Sequence, residues 1–210
     1  MRVNGILGAR GGAVLAIGAH PDDLEIGAGG LLARLAAEGA NVTMVVVSIP
    51  SDREQRHAEA IAGARELAAK VVVLNDECTR VEDVAMHELV RRLDSVIGDA
   101  RPDLVITHSA NDLHWDHGLV HRATVSALRR TPCDLLAFLS SPELNAQART
   151  IGTCFADVTA HIEAKLRAIR CHRSQLTKLD VESSRDLARA MGRISGVDYA
   201  EVYEVLRVRI

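Results

Sequence analysis

Apolar and polar positions alternate along the chain with two different periods. AVLAIGA (13–19), NVTMVVVS (41–48), KVVVL (70–74) and DLVITH (103–108) are short apolar runs, several rich in β-branched residues, and read as buried strands. Between them IGAGGLLARLAAEGA (26–40) reads as a helix of small residues ended by Gly39. Ser51 stands three residues before Glu54, the spacing of a capping box, ahead of a helix over QRHAEAIAGARELAA (55–69). A helix over VEDVAMHELVRRLDSVIGDA (81–100) follows, cut off from the next strand by Pro102. HGLVHRATVSALRR (117–130) and HIEAKLRAIRCHRSQ (161–175) are helical. LLAFLS (135–140) and TCFADVT (153–159) are short strands, and EVYEVLRVRI (201–210) alternates like an edge strand. Strands separated by helices of this length predict a mostly parallel sheet with helices on both faces. The expected architecture is a Rossmann-like three-layer α/β/α fold, a single domain spanning residues 1–210.

Composition narrows the chemistry. A chain of 210 residues can bury roughly 70% of the surface its unfolded form exposes. Apolar residues make up 48% and charged residues 25%, with a formal net charge of -3, so no basic surplus exists to neutralise phosphates. Nucleic acid is therefore not an expected partner. The N-terminal stretch is too broken by Gly and Arg to read as a signal peptide, and no apolar stretch approaches the ~20 residues of a membrane span. A cytoplasmic location is expected. Cys78, Cys133, Cys154 and Cys171 stand far apart without a C-x-x-C pair, which favours reduced thiols over a disulfide framework or a cysteine-rich zinc site.

Ligands of open α/β sheets bind beyond the carboxyl ends of the strands where the strand order reverses; with order 3-2-1-4-5 that point lies between the first and fourth strands. Both loops there are polar. The first strand runs into His20, Asp22, Asp23 and Glu25; the fourth runs into HSANDLHWDH, with His108, Asp112, His114, Asp116 and His117. The turn GAHPDD is not the G-x-G-x-x-G of a dinucleotide fold. No phosphate-binding G-x-x-x-x-G-K-[ST] loop and no G-x-S-x-G elbow is present, and Gly118 stands where a H-E-x-x-H helix needs glutamate. What remains is a set of imidazoles and carboxylates suited to a divalent metal with mixed N and O donors, such as Zn2+.

AHPDDLE together with HWDH resembles the PIG-L/LmbE-like zinc-dependent N-deacetylases, marked by A-H-P-D-D after the first strand and H-x-D-H after the fourth. The resemblance extends to QRHAEAIAGARELA (an R-x-x-E helix), AIRCHRSQ (H-x-S-Q) and VDYAEVYEVL (A-E-x-[FY]). It implies His20, Asp23 and His117 as zinc ligands and Asp22 as general base. It also implies His114 as oxyanion stabiliser, held cationic by Asp116 behind it. A metal that acidifies water, beside a carboxylate that accepts its proton, is the equipment of an amide hydrolase. The implied reaction is removal of an acetyl group from an N-acetylglucosamine-containing small molecule: an antibiotic intermediate, a thiol-cofactor precursor or a chitooligosaccharide. A mycothiol-conjugate-type amidase and a non-catalytic metal- or sugar-binding protein are the alternatives. Small members of the family resemble compact homo-oligomers, which leaves a homo-oligomeric assembly open.

Several of these residues have a structural reading as well. Asp22 or Asp23 alone fits as a cap on the following helix. Glu25 fits as a first-turn acid or a support, and His108 and Asp112 as residues that shape the loop rather than ligands. His57, His87, His121, His161 and His172 lie in predicted helices as solvated or satisfied histidines. By resemblance Arg56 and Asp76 occupy positions that hold sugar hydroxyls, with a solvated helix charge and a turn former as the plain readings. Trp115 fills a slot often occupied by proline and either stacks on a sugar or anchors the loop in the core. SIPSDREQR replaces the Gly- and Glu-rich loop usual in the family after the second strand.

Overall fold

The computed structural model describes residues 12–75, 79–139, 154–177 and 180–209. Its strands are β1 (Ala13–Gly18), β2 (Asn41–Val46), β3 (Lys70–Val73), β4 (Leu104–His108), β5 (Asp134–Phe138), β6 (Cys154–Asp157) and β7 (Ala200–Arg207). The α-helices are α1 (Asp23–Ala37), α2 (Arg53–Glu66), α3 (Met86–Ala100), α4 (Trp115–Ala127), α5 (Ile162–Arg170) and α6 (Val181–Ser195). The strands form one seven-stranded sheet in the order β3-β2-β1-β4-β5-β7-β6. β1 pairs in parallel with β2 and β4, β2 with β3, and β4 with β5, whereas β7 runs antiparallel to β5 and β6.

The period of two along each strand divides the core between the faces of the sheet. Val14, Ala16, Met44, Ile106, Leu136 and Phe138 turn to one face and join Leu24, Leu31 and Leu32 of α1 and Ala64 of α2. Leu15, Ile17, Val45 and Val105 turn to the other and meet Leu89, Leu93 and Ile97 of α3 and Val120 of α4. The three-layer expectation is met. Helix α1 lies against β5 at Gly27, where an added Cβ would fall 2.0 Å from the Phe138 ring. Gly30 plays the same part beside Val158, at 2.7 Å.

The A-E-x-Y segment completes this packing. Glu201, buried on β7, accepts the backbone N–H groups of Gly30 and Leu31 at 2.8 Å each, the Lys165 ammonium at 2.7 Å and the Tyr203 hydroxyl at 2.7 Å. One carboxylate thereby ties α1, α5 and β7 together, with its charge balanced and its acceptor capacity filled.

Four sequence expectations are corrected. β7 is no edge strand: its alternation reports a half-buried face, but β6 covers its outer side. The Ser51/Glu54 capping box does not form, because α2 begins one residue too late for it, after Asp52 in a left-handed conformation (φ 46°). The helix expected over 81–100 is a short 3-10 turn at Val81–Asp83 followed by α3, and the segment from 161 to 175 ends its α-helix at Arg170 before a 3-10 turn at Arg173–Gln175. Helix α6, absent from the elements expected from the sequence, is polar overall and buries only Ala188 and Gly192, yet its ends are orthodox. Asp180 accepts the Glu182 N–H at 3.0 Å as N-cap, and Gly196 (φ 80°) closes it. Among the described residues Cys133, Cys154 and Cys171 are free thiols, and no helix is long and apolar enough to cross a membrane.

Candidate metal centre

The first loop begins where β1 leaves the sheet and must reverse into α1 within a few residues. Asp22 makes the reversal with φ 94° and ψ −31°, a backbone that L side chains rarely adopt and that costs about 1–3 kcal/mol. Its carbonyl starts the helix by accepting the Ile26 N–H at 3.0 Å, but its carboxylate makes no capping hydrogen bond. Asp22 is therefore the N-cap of α1 by position, but its side chain does not cap the helix. Burial and the neighbouring Asp23 push its carboxyl up to about 7, against the opposing charges of His172 and Arg56.

Asp23 faces the other way. Its Oδ2 accepts the His20 N–H at 2.8 Å and lies 3.2 Å from His108 Nε2, and its Oδ1 lies 3.3 Å from His117 Nε2. Burial favours the neutral acid, but the two imidazoles outweigh it and hold the carboxyl well below the usual range. His20 Nε2 in turn lies 3.0 Å from Asp116 Oδ2.

The second loop climbs into α4 by a ladder of local bonds. Ser109 N–H donates to Phe138 O at 2.7 Å, Asn111 N–H to Ser109 Oγ at 3.0 Å, and His114 N–H to Asp112 Oδ1 at 3.0 Å. His114 is the N-cap of α4: its Nδ1 accepts the Asp116 N–H at 3.2 Å. A ring nitrogen that accepts from an amide carries no proton, so His114 is a neutral imidazole with its proton on Nε2. Burial and the neighbouring His117 and His20 also lower its pKa. The expectation of a His114 cation held by Asp116 is therefore corrected, since the Asp116 carboxylate belongs to His20.

The other Asp112 oxygen, Oδ2, lies 3.0 Å from His117 Nδ1. His117 thus sits between two carboxylates, and although burial opposes the charged ring, Asp23 and Asp112 raise its pKa to about 10. Its ring stacks on His108 at 3.9 Å and on His114 at 4.3 Å. Among the described residues two groups of three bring ligand atoms within 4.8 Å of one another: His20, His114 and His117, and Asp23, His108 and His117. The three expected ligands are spread over both groups, with His117 common to each.

The remaining candidates fall around this centre. Arg56 is buried, donating to Pro21 O at 3.2 Å with its Nη2 3.8 Å from Asp22 Oδ2, so its guanidinium is engaged by the turn itself. Trp115 is 64% exposed, which removes the core-anchor reading. Asp76 lies outside the described residues. Two residues that sequence reasoning set aside contribute here. Asp112 backs His117, and His108, fully buried, accepts the Ala19 N–H at 3.0 Å beside Asp23. The HSANDLHWDH spacing was the only signal for either. His172 and Glu25, both buried, face each other at 3.0 Å.

A mostly parallel sheet thus gathers imidazole and carboxylate donors at its switch point, with the separate Asp22 carboxylate beside them, a group of residues that could hold a metal ion. The chain belongs to the PIG-L family, described as GlcNAc-PI de-N-acetylase, which it matches over residues 15–128, and so to a family of deacetylases. It is 28% identical, in an alignment that covers 78% of this chain and 85% of the relative, to the 1D-myo-inositol 2-acetamido-2-deoxy-alpha-D-glucopyranoside deacetylase of Saccharomonospora viridis. Its fold is similar to that of N,N'-diacetylchitobiose deacetylase from Pyrococcus horikoshii, with a TM-score of 0.73 at 22% identity over 92% of this chain and 83% of that one. It is also similar to GalB, the 4-carboxy-2-hydroxymuconate hydratase of Pseudomonas putida KT2440, with a TM-score of 0.78 at 22% identity over 95% and 98%. One fold thus carries a deacetylase and a hydratase, and fold alone does not choose between them.

Proposed function

We propose that the chain is a zinc-dependent N-deacetylase acting on an N-acetylglucosamine-containing small molecule. His20, Asp23 and His117 hold the ion, Asp22 is the general base, and His114 is the oxyanion donor. The observation that carries this reading is the Asp22 carboxylate, free of any capping bond on a strained backbone beside the donor cluster. A structural aspartate at a helix start needs neither feature. The chemistry of the donors suits zinc: among the described residues His20, His114 and His117 bring ligand atoms within 4.8 Å of one another, as do Asp23, His108 and His117, and the proposed ligands are drawn from both groups around the shared His117.

A bound divalent ion supplies Lewis acidity toward the amide carbonyl and makes water a nucleophile near neutral pH. Asp22 takes the proton of the attacking water as the C–O bond forms. His114, with Nδ1 occupied by the Asp116 N–H, has its Nε2–H available to the developing oxyanion, a contact worth about 3–4 kcal/mol when one such donor is lost. Asp22 then passes the proton to the leaving nitrogen as the C–N bond breaks, giving acetate and a free amine. Trp115, exposed between His114 and Asp116, offers a face to the sugar. The name of the Saccharomonospora relative supports an N-acetylglucosamine conjugate as substrate class.

The test is acetate release from N-acetylated amino sugars and from a simple acetamide, before and after chelation and after return of zinc. Cleavage of an amino sugar far faster than acetamide, lost on chelation and regained with zinc, supports the reading. Absence of acetate release, or undiminished release after the metal is removed, overturns it.

A further inference from the structure

We propose that Glu25 and His172 form a buried positioning dyad that fixes the Asp22 turn, so that His172 governs turnover without touching metal or substrate. The inference rests on Asp22 being the base.

An acid in the first turn of a helix is usually a solvated partner of the helix dipole. Glu25 turns inward instead, three residues after Asp22, and its Oε1 meets His172 Nε2 at 3.0 Å with both side chains buried. The histidine is held from its own side. His172 N–H bonds Ile169 O at 3.1 Å, and two residues on Ser174 donates to Glu59 of α2 through both N–H (2.9 Å) and Oγ (2.6 Å). The H-x-S-Q segment is thereby fastened to α2 and cannot swing His172 away. Gly63 closes the third side: a Cβ there would stand 2.5 Å from Glu25 Oε1 and 3.1 Å from His172 Nε2, so α2 is wedged against the pair. From the same helix Arg56 holds Pro21 O and approaches Asp22.

Because α1 begins directly after Asp22, pinning Glu25 fixes the rotation of the first helical turn and with it the direction of the Asp22 side chain. A left-handed aspartate relaxes unless its surroundings over-determine it. Packing alone does not require an ionisable pair, since apolar side chains of similar volume replace such pairs readily. What the pair adds is one orientation of α1 against α2 and α5. Nδ1 of His172 is buried without a hydrogen-bond partner among the described residues, so the ring's contact with the start of α1 runs through Nε2 and Glu25, while its charge also reaches Asp22.

The experiment compares His172→Gln, whose amide nitrogen can stand where Nε2 stands, with His172→Asn, whose amide stops short of Glu25. A Glu25→Met/His172→Leu double variant keeps the volume without the bond. Three quantities are read: the Asp22 13Cα and amide shifts in metal-free protein, zinc per chain, and kcat and KM for acetate release. The dyad predicts that His172→Asn and the double variant bind zinc as the parent does, shift the Asp22 signals, and lose about 10- to 100-fold in kcat with little change in KM. His172→Gln recovers most of both. Unmoved Asp22 signals in zinc-competent His172→Asn and double variants, or equal behaviour of Gln and Asn, overturn the proposal. Should the parent release no acetate, the deacetylase reading fails by itself, while the Asp22 signals still decide whether the dyad sets the turn.

Discussion

Asp112→Asn isolates the carboxylate behind His117. In the parent both oxygens are engaged: Oδ1 accepts the His114 N–H at 3.0 Å, and Oδ2 lies 3.0 Å from His117 Nδ1 as its ion-pair partner. An amide has only one oxygen, so the substituted side chain satisfies one contact and presents an NH2 group to the other. If the oxygen stays with His114, the NH2 faces His117 Nδ1 and forces the ring proton onto Nε2, the nitrogen that faces Asp23. A ring in that tautomer must change it before Nε2 can ligate. Outer carboxylate partners of ligating histidines are worth 10–100-fold in metal affinity, about 1.4–2.7 kcal/mol. Competition of parent and variant against a zinc chelator of known affinity at pH 7 measures the effect, with thermal unfolding of the metal-free proteins as the check on folding. A zinc dissociation constant raised by about 10–100-fold is expected. Equal affinities in two folded proteins refute the assignment of His117 to the metal through Nε2 with Asp112 behind it.

Lys165→Met leaves Glu201 buried without its cation but with two backbone donors, and should cost near the lower end of about 3–5 kcal/mol in urea unfolding; a loss under about 1 kcal/mol contradicts that account of the A-E-x-Y segment. In metal-free protein the raised His117 pKa contributes stability that is complete below about 6.5 and fades as pH climbs toward about 10. The depressed Asp23 contributes above about 3.8 and is lost as pH falls further. The metal-free melting temperature should therefore peak in mildly acidic solution and decline from neutrality upward; a rise between neutral and alkaline pH is the contrary result. Trp115→Ala, at an exposed position, should change stability by less than about 0.5 kcal/mol while raising KM for an amino-sugar conjugate, and an unchanged KM returns Trp115 to the plain surface.

The sheet was legible because its central strands are buried on both faces and read as apolar runs with no competing period. The site was legible in outline because its two loops follow strands that the βαβ rule places side by side. Its wiring was not. Glu25 and His172 are 147 residues apart, and His108 meets Ala19 across 89, so their burial depends on packing that no local pattern reports. The charge of His114 depends on which nitrogen caps α4, a matter of rotamer rather than residue type. β7 read as an edge because alternation tells which side of a strand is covered and not which strand lies beside it.

The central claim is that adjacent carboxylates divide the work, Asp23 on the metal and Asp22 on the proton. Asp22→Asn and Asp23→Asn should be assayed for zinc by elemental analysis and for acetate release on the same preparations as the parent. The account predicts that Asp22→Asn retains the zinc content of the parent and loses about 10²–10⁴-fold in kcat, while Asp23→Asn loses zinc and regains part of its activity at high zinc. Asp22→Asn that is fully metallated and hydrolyses at the rate of the parent contradicts it.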